Sequence, residues 1–264
     1  DMSYETISYK AATDGVAHLR LDRPDGANAV CEAFARELRD VMIEIEFDDS
    51  VRAVSVTAEG KVFCAGGDLK EFHSKGADLP RHGASLLADF HTAIYKMNRM
   101  PKPFVAGVRG AAGGAGLSLM SAFDLAIAGE SAKFTMAYTR AGMTPDGTST
   151  YFITRHIGVR RMLDLTLTNR VLSATEAEAW GLINRVVPDD DVDNATAALA
   201  QQLADGAPYA VGMAKKVVYN GMDQSLEQGG EYEGVTITGA MASEDGQEGI
   251  AAFVEKRSPN FQGR

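Results

Sequence analysis

Two stretches decide how this chain folds: Val62-Phe-Cys-Ala-Gly-Gly-Asp-Leu-Lys-Glu-Phe72 and Val108-Arg-Gly-Ala-Ala-Gly-Gly-Ala-Gly-Leu-Ser-Leu119. Each follows a run with strand character and feeds a run with helical character, with a glycine cluster at the junction. Such turns let backbone N–H groups point at one spot, and a helix N-terminus adds the positive end of its dipole. Two turns from separate strand ends can set two donors on one oxygen, an oxyanion hole in which each donor contributes roughly 10²–10³ in rate. Read alone, either cluster is first of all close packing of backbone on backbone.

Outward from these turns the pattern alternates between periods. Gly15 to Asp22 sets Ala17, Leu19 and Leu21 against His18, Arg20 and Asp22, which is the period of a half-buried strand. Phe34, Leu38, Val41, Met42 and Ile45 recur at helical spacing and predict an amphipathic helix over 31–47. Strand character returns over 51–57, a helix is expected over 84–99, a strand over 104–108, a small-residue helix from about Gly114, and a strand over 125–128. An irregular passage runs to Pro145, and helical patterns resume after Gly147. Ser173-Ala-Thr-Glu176 reads as a capping box and Gly181 as a helix stop. Beyond Pro188 the pattern is helical over 191–204, 208–221, 225–241 and 246–256, the last opened by Asp245. The expectation is an α/β core over 1–190 followed by a helical extension over 191–264.

The 264 residues suffice to bury a sizeable core without a disulfide or metal staple. Hydrophobic residues at 45% and charged ones at 23% exclude wholesale disorder. A net charge of −10 excludes a global footprint for nucleic acid or anionic lipid, although the local field governs any single anion. Cys31 and Cys64 cannot form a disulfide framework, so a reducing, cytoplasmic setting is expected. Asp1 to Lys10 lacks the layout of a signal peptide, and Asp1 before Met2 reads as the remnant of a trimmed tag. Ala111 to Gly129 is interrupted by glycines, serines and Asp124 and does not read as a membrane span. No cysteine–histidine spacing, Walker-type loop or dinucleotide fingerprint is present, so no metal is expected.

Phe63 to Phe72 and Val108 to Leu119 resemble the two signatures of the crotonase (enoyl-CoA hydratase/isomerase) superfamily. Leu21-Asp-Arg-Pro24 with Asn28-Ala29, the Ser173–Ile183 segment and Glu248 to Arg257 resemble further stretches of it. The resemblance covers nearly the whole chain. It implies a crotonase-like spiral of ββα turns with C-terminal helices that assemble a homotrimer or a dimer of trimers. It also implies an acyl-CoA thioester as substrate, with no cofactor beyond that coenzyme A. The thioester carbonyl would lie between the amides of Gly67 and Ala115, the latter standing where glycine is usual.

In the hydratase pattern one glutamate follows the second amide, and here Ser118 takes its place; Tyr138 replaces the other. Two-carboxylate hydration is therefore in doubt. Asp146 remains, in Thr144-Pro-Asp-Gly147. Locally this is a turn whose aspartate can cap the next helix. By resemblance to isomerases of phenylacetate degradation it is an acid/base. By resemblance to 4-chlorobenzoyl-CoA dehalogenases, carried by Arg155 to Arg170, it is a nucleophile, with His91 activating water. Those dehalogenases place tryptophan at Tyr138 and phenylalanine at Gly67. The readings left open are double-bond isomerisation, hydration without the glutamate pair, halide displacement and silent acyl-CoA binding. Tyr138 and Ser118 are expected in the acyl pocket. Ala65, Asp68 and Leu69 are carried over as contacts at the adenosine end, Ala27 as a further substrate-binding residue, Arg23 near the phosphates, and Phe253 and Lys256 as a C-terminal pair reaching coenzyme A across a subunit boundary. Cys64 reads as a small buried side chain.

Overall fold

The computed structural model describes residues 4–12 and 14–264, so the reading of Asp1 and Met2 lies outside the described residues. Strand β1 (Ile7–Lys10) pairs antiparallel with β2 (Val16–Leu21), whose alternation buries Ala17, Leu19 and Leu21 while His18 stays exposed. Helix α1 (Glu32–Phe47) buries the predicted stripe Phe34, Leu38, Val41, Met42 and Ile45. β3 (Ala53–Ala58) then runs parallel to β2, with His18 opposite Ser55. After the first glycine turn come α2 (Leu69–Lys75) and α3 (Leu79–Arg99). The latter starts earlier than its hydrophobic period does, because Pro80 occupies the first turn, where a missing N–H costs nothing.

β4 (Phe104–Val108) continues the parallel sheet, and the short β5 (Ala111–Gly113) leads through the second glycine turn into α4 (Ala115–Ala122), buried on every side. Next are β6 (Leu125–Gly129), β7 (Lys133–Thr135), α5 (Ser149–Ile157), α6 (Val159–Thr168), β8 (Leu172–Ser173) and α7 (Ala174–Trp180). Ser173 and Glu176 complete the predicted capping box, and Gly181 closes α7 with φ at 80°. β9 (Arg185–Val187) ends a six-stranded sheet ordered β1-β2-β3-β4-β6-β9; a second sheet is ordered β5-β7-β8.

The first helix beyond residue 190, α8 (Val192–Ala204), lies back across the sheet: its Ala200 and Ala204 pack with Val16, Ala53 and Val105. α9 (Pro208–Gly221) is moored by Lys215, whose buried ammonium stands 2.9 Å from Asp124 and donates to the carbonyls of Met97 and Lys102. Burial pushes Asp124 up and Lys215 down, and each charge pulls the other back. α10 (Leu226–Ala242) and α11 (Glu244–Glu255) leave Leu226, Val235, Ile237, Ile250, Phe253 and Val254 exposed. The cap of α11 is Ser243, not the expected Asp245. The Asp245 carboxylate is buried and accepts instead from the amides of Gln262 and Gly263. Among the described residues no helix is long and apolar enough to cross a membrane.

The two decisive turns meet at Gly116, where a Cβ would stand 2.7 Å from Cys64 Cβ and 2.8 Å from its sulfur. Gly116→Ala is therefore expected to destabilise the fold by about 1–3 kcal/mol through overpacking. Urea unfolding checks this, and an unchanged midpoint would mean that the two turns yield freely.

Candidate active site

The chain after β3 does not simply turn into α2. Cys64 N–H donates to Ala111 O at 3.1 Å and Gly113 N–H donates to Cys64 O at 3.0 Å, stitching the first glycine turn to β5. On its other side, Val30 N–H donates to Gly66 O at 2.7 Å and Ala65 N–H to Ala27 O at 3.0 Å. Gly66 sits at φ +117°, and a Cβ there would crowd Gly113 O at 3.1 Å, so the position requires glycine. The same Cβ would be 3.7 Å from the Ala115 nitrogen. The two turns thus lie side by side, although they come from separate strands. Ala115 is the first residue of α4, where an N–H has no partner in its own helix. Among the described residues, neither the Gly67 nor the Ala115 amide donates to any protein acceptor.

Both residues line one cleft of about 640 Å³ of empty space, mouth included. Its walls are mostly apolar, with Leu69 and Phe72 from α2, Leu86, Leu87 and Phe90 from α3, and Met143. Asp146 and Tyr138 are the ionisable residues on its lining. The Asp146 carboxylate does not cap α5, whose N-cap is Thr148 without a side-chain bond. It accepts instead from the Tyr138 hydroxyl at 2.5 Å. Tyr138 O stands 2.8 Å from Ser118 Oγ. With the phenolic proton directed at Asp146, the contact can take only the serine proton, for which the Gly114 carbonyl at 3.2 Å competes, and the three groups lie in one hydroxyl chain from Ser118 through Tyr138 to Asp146. Ser118 itself is fully buried behind Tyr138 and is not on the cavity lining, contrary to its expected place in the pocket.

Burial raises the Asp146 carboxyl above its ordinary value, while the Tyr138 bond and the nearby His91 hold it back. Burial, with the Asp146 charge beside it, pushes the Tyr138 phenol far up, so it is a neutral donor. His91 lies on α3 behind the lining residue Phe90. Its Nε2 accepts from Gly147 N–H at 3.2 Å, which fixes the ring beside the turn that carries Asp146. The backbone here is strained. Tyr138 N–H donates to Met136 O at 2.7 Å with Ala137 at φ 54°, a rare three-residue turn, and Thr148 sits at φ 61°.

The other predicted residues separate into groups. Ala65 and Leu69 line the cleft. Ala27 contributes its carbonyl to the first turn from a left-handed backbone. Asp68 caps α2 by accepting from Lys70 and Glu71 N–H, and its other oxygen pairs with Arg23. Burial alone would raise the Asp68 carboxyl, but Arg23 and those amides hold it below the usual range. Phe253 is 85% exposed on α11 and Lys256 closes that helix; neither lines the cleft of its own chain. Burial pushes the Cys64 thiol up to about 12, which leaves it inert, as its small-side-chain reading expects. Sequence reading missed Asn28, which is fully buried; it accepts from Arg23 N–H and donates to the carbonyls of Glu59 and Val62, fixing the wall beneath the first turn. It also missed Phe90 and Leu86, although they are one helical turn apart beside His91.

Residues 11–264 match the family model described as Enoyl-CoA hydratase/isomerase. The chain is 33% identical to 1,2-epoxyphenylacetyl-CoA isomerase of Escherichia coli K12, over 95% of this chain and 96% of that one. It is 34% identical to 4-chlorobenzoyl coenzyme A dehalogenase-2 of an Arthrobacter species, over 92% and 89%. The crystal structure of an enoyl-CoA hydratase from Bacillus anthracis superposes with a TM-score of 0.92 at 33% identity, covering 98% of this chain and 100% of that one. These relatives bear the names of three different reactions, and the solved hydratase shares the crotonase-like α/β fold described above. The chain belongs to the enoyl-CoA hydratase/isomerase family.

Proposed function

We propose that the protein is an enoyl-CoA isomerase that shifts a double bond by proton transfer through Asp146. One observation carries this reading: among the described residues, Asp146 is the single carboxylate on the lining that also presents the unpartnered amides of Gly67 and Ala115. The thioester carbonyl would accept from those two N–H groups. Asp146 removes a proton from the carbon between that carbonyl and the double bond, and the electron pair moves onto the carbonyl oxygen as an enolate. Charge thus develops where fixed donors already point. The same carboxyl returns the proton two carbons further on, the double bond comes into conjugation, and Asp146 ends as it began. A carboxyl raised by burial is the stronger base for this step. The reaction needs no cofactor beyond the coenzyme A of its substrate.

In this reading Ala65 and Leu69 meet the adenosine end, while the Arg23–Asp68 pair holds the loop at the mouth. Phe253 and Lys256 serve the site of a neighbouring subunit, and the exposed apolar side chains of α10 and α11 belong to a trimeric interface. A second reading, displacement of an aryl halide by Asp146, rests on the dehalogenase relative. It needs a free His91 nitrogen to activate water, and Nε2 is engaged by Gly147.

The decisive assay offers 3-enoyl-CoA, 2-enoyl-CoA and 4-halobenzoyl-CoA to the wild type and to Asp146→Asn. Fastest turnover is expected with 3-enoyl-CoA, falling by about 10²–10⁴-fold in the variant, which keeps an acceptor for Tyr138. Equal rates in the two proteins would sink the reading, and halide release would establish the second one. Tyr138→Phe removes a bond that lowers the Asp146 pKa. The base must be ionised to act, so the acid limb of kcat/KM is expected to move to higher pH; an unmoved limb would uncouple the two residues. Light scattering is expected to give the mass of three or six chains, and a monomer would refute the interface.

A further inference from the structure

We propose that Glu32, Glu71 and His82 form a site for a divalent transition-metal ion of the zinc class, at the rim of the cleft. The three residues come from α1, α2 and α3, and their ligating atoms all lie within 4.8 Å of one another. The His82 side chain is only 9% exposed. Its Nε2 is fully buried and has no hydrogen-bond partner among the described residues. Yet Glu71 Oε1 stands 2.7 Å away, and Glu32 Oε2 is 3.8 Å from the other ring nitrogen. Glu71 Oε1 and Nε2, with no proton correctly placed between them, are two lone-pair donors close enough to share one ion, and the half-exposed Glu32 side chain, now beside Nδ1, joins them by a swing of its carboxylate. Donors on a four-coordinate zinc, at about 2.0–2.2 Å from the ion, stand roughly 3.3 Å from one another, within the spread found here. One imidazole and two carboxylates suit zinc and its neighbours. Three protein ligands leave a fourth position open to water or another exchangeable donor.

The site is supported as ligand sets usually are. The edge of Phe72 packs against the His82 ring, with centroids 6.3 Å apart, and orients it. The Glu71 carboxylate also accepts from Glu32 N–H at 3.3 Å. An ion bound here would tie together α2 and α3, which supply Leu69, Phe72, Leu86 and Leu87 to the cleft. Phe72 links the two places directly, since a Cβ on Gly67 would stand 2.9 Å from its ring. None of the three ligands is an acid or base in the proposed isomerisation, so the site stands or falls separately from it.

The test uses the full chain and the metal alone. Cobalt(II) titration is expected to give visible absorption of a four- or five-coordinate site at one equivalent per chain, displaced by zinc. Calorimetry with zinc chloride is expected to show affinity lowered at least about tenfold by Glu71→Gln, by His82→Ala and by Glu32→Gln. Glu32 is exposed, so its variant keeps the fold even where the buried histidine variant does not. The exposed His73→Ala, on the same helix as Glu71, should bind as the wild type does. Absence of cobalt bands in the wild type, or zinc binding indifferent to all three substitutions, would show a plain histidine–carboxylate clasp and overturn the site.

Discussion

Everything at the cleft depends on one contact between backbones, the stitching of the 64–67 turn to the 111–116 turn. Amides from two different strand ends can serve one oxygen only if their turns touch, and a side chain at the junction would hold them apart. Cys64 exchanges bonds with Ala111 and Gly113, while Gly66 and Gly116 leave no side chain between the surfaces. The small-residue helix α4 follows from the same constraint. It brings its N-terminus against a neighbouring strand end, and every one of its residues is buried. The parallel order of β2, β3, β4 and β6 delivers the strand ends to the same edge, so the sheet sets the site before any reactive side chain is chosen.

Against this rigid frame the acid is held uneasily. Burial raises the Asp146 carboxyl above its unfolded value, so its neutral form is the one the fold favours, and that advantage is lost as pH rises through the raised pKa. The ionised form that the proposed proton abstraction calls for is the less stable one, favoured only by the Tyr138 bond and the nearby His91. The backbone on both sides is strained as well, at Ala137 before the tyrosine and Thr148 after the aspartate. Non-glycine residues at positive φ cost about 1 kcal/mol or more each and persist only where surrounding packing overrides them. Fully buried residues flank both positions along the chain, Phe134 and Met136 before Ala137 and Ile153 after Thr148, and anchor the segments they belong to.

Long periodic elements were legible in the sequence, because β2, α1, β3 and β4 bury one face over enough residues to show a period. β5, β7, β8 and β9 span two or three residues and have no period to read; tertiary pairing alone makes them strands. Asp245 looked like a cap because acids favour helix starts, yet Ser243 lies two residues nearer the turn and takes that role. The resemblance located the glycine turns and Asp146 but could not show how Asp146 is held. Its partners lie on separate elements, and the chain of hydroxyls exists only once the loop after β7 folds onto α4. Glu32, Glu71 and His82 were invisible for the same reason, since three helices supply one residue each and no spacing records their meeting.

The choice among family reactions turns on what surrounds a single carboxylate. Adding water to a double bond asks for a base at the water and an acid at the carbon together. Here the first glutamate position is Ser118, shut behind Tyr138, and the second is a phenol held neutral by burial and by Asp146. The lining from Phe72, Leu86, Leu87, Phe90 and Met143 offers a reactive water little to hydrogen-bond. Moving a proton between two carbons of one substrate needs no water and no second acid. Halide displacement would need the water again, and the histidine called on to activate it has its Nε2 bound to the amide next to Asp146. Turning the His91 ring toward the cleft would break the bond that fixes the loop carrying the nucleophile. In the proposed isomerisation the ring is therefore a positioning residue for Asp146 and not its partner base.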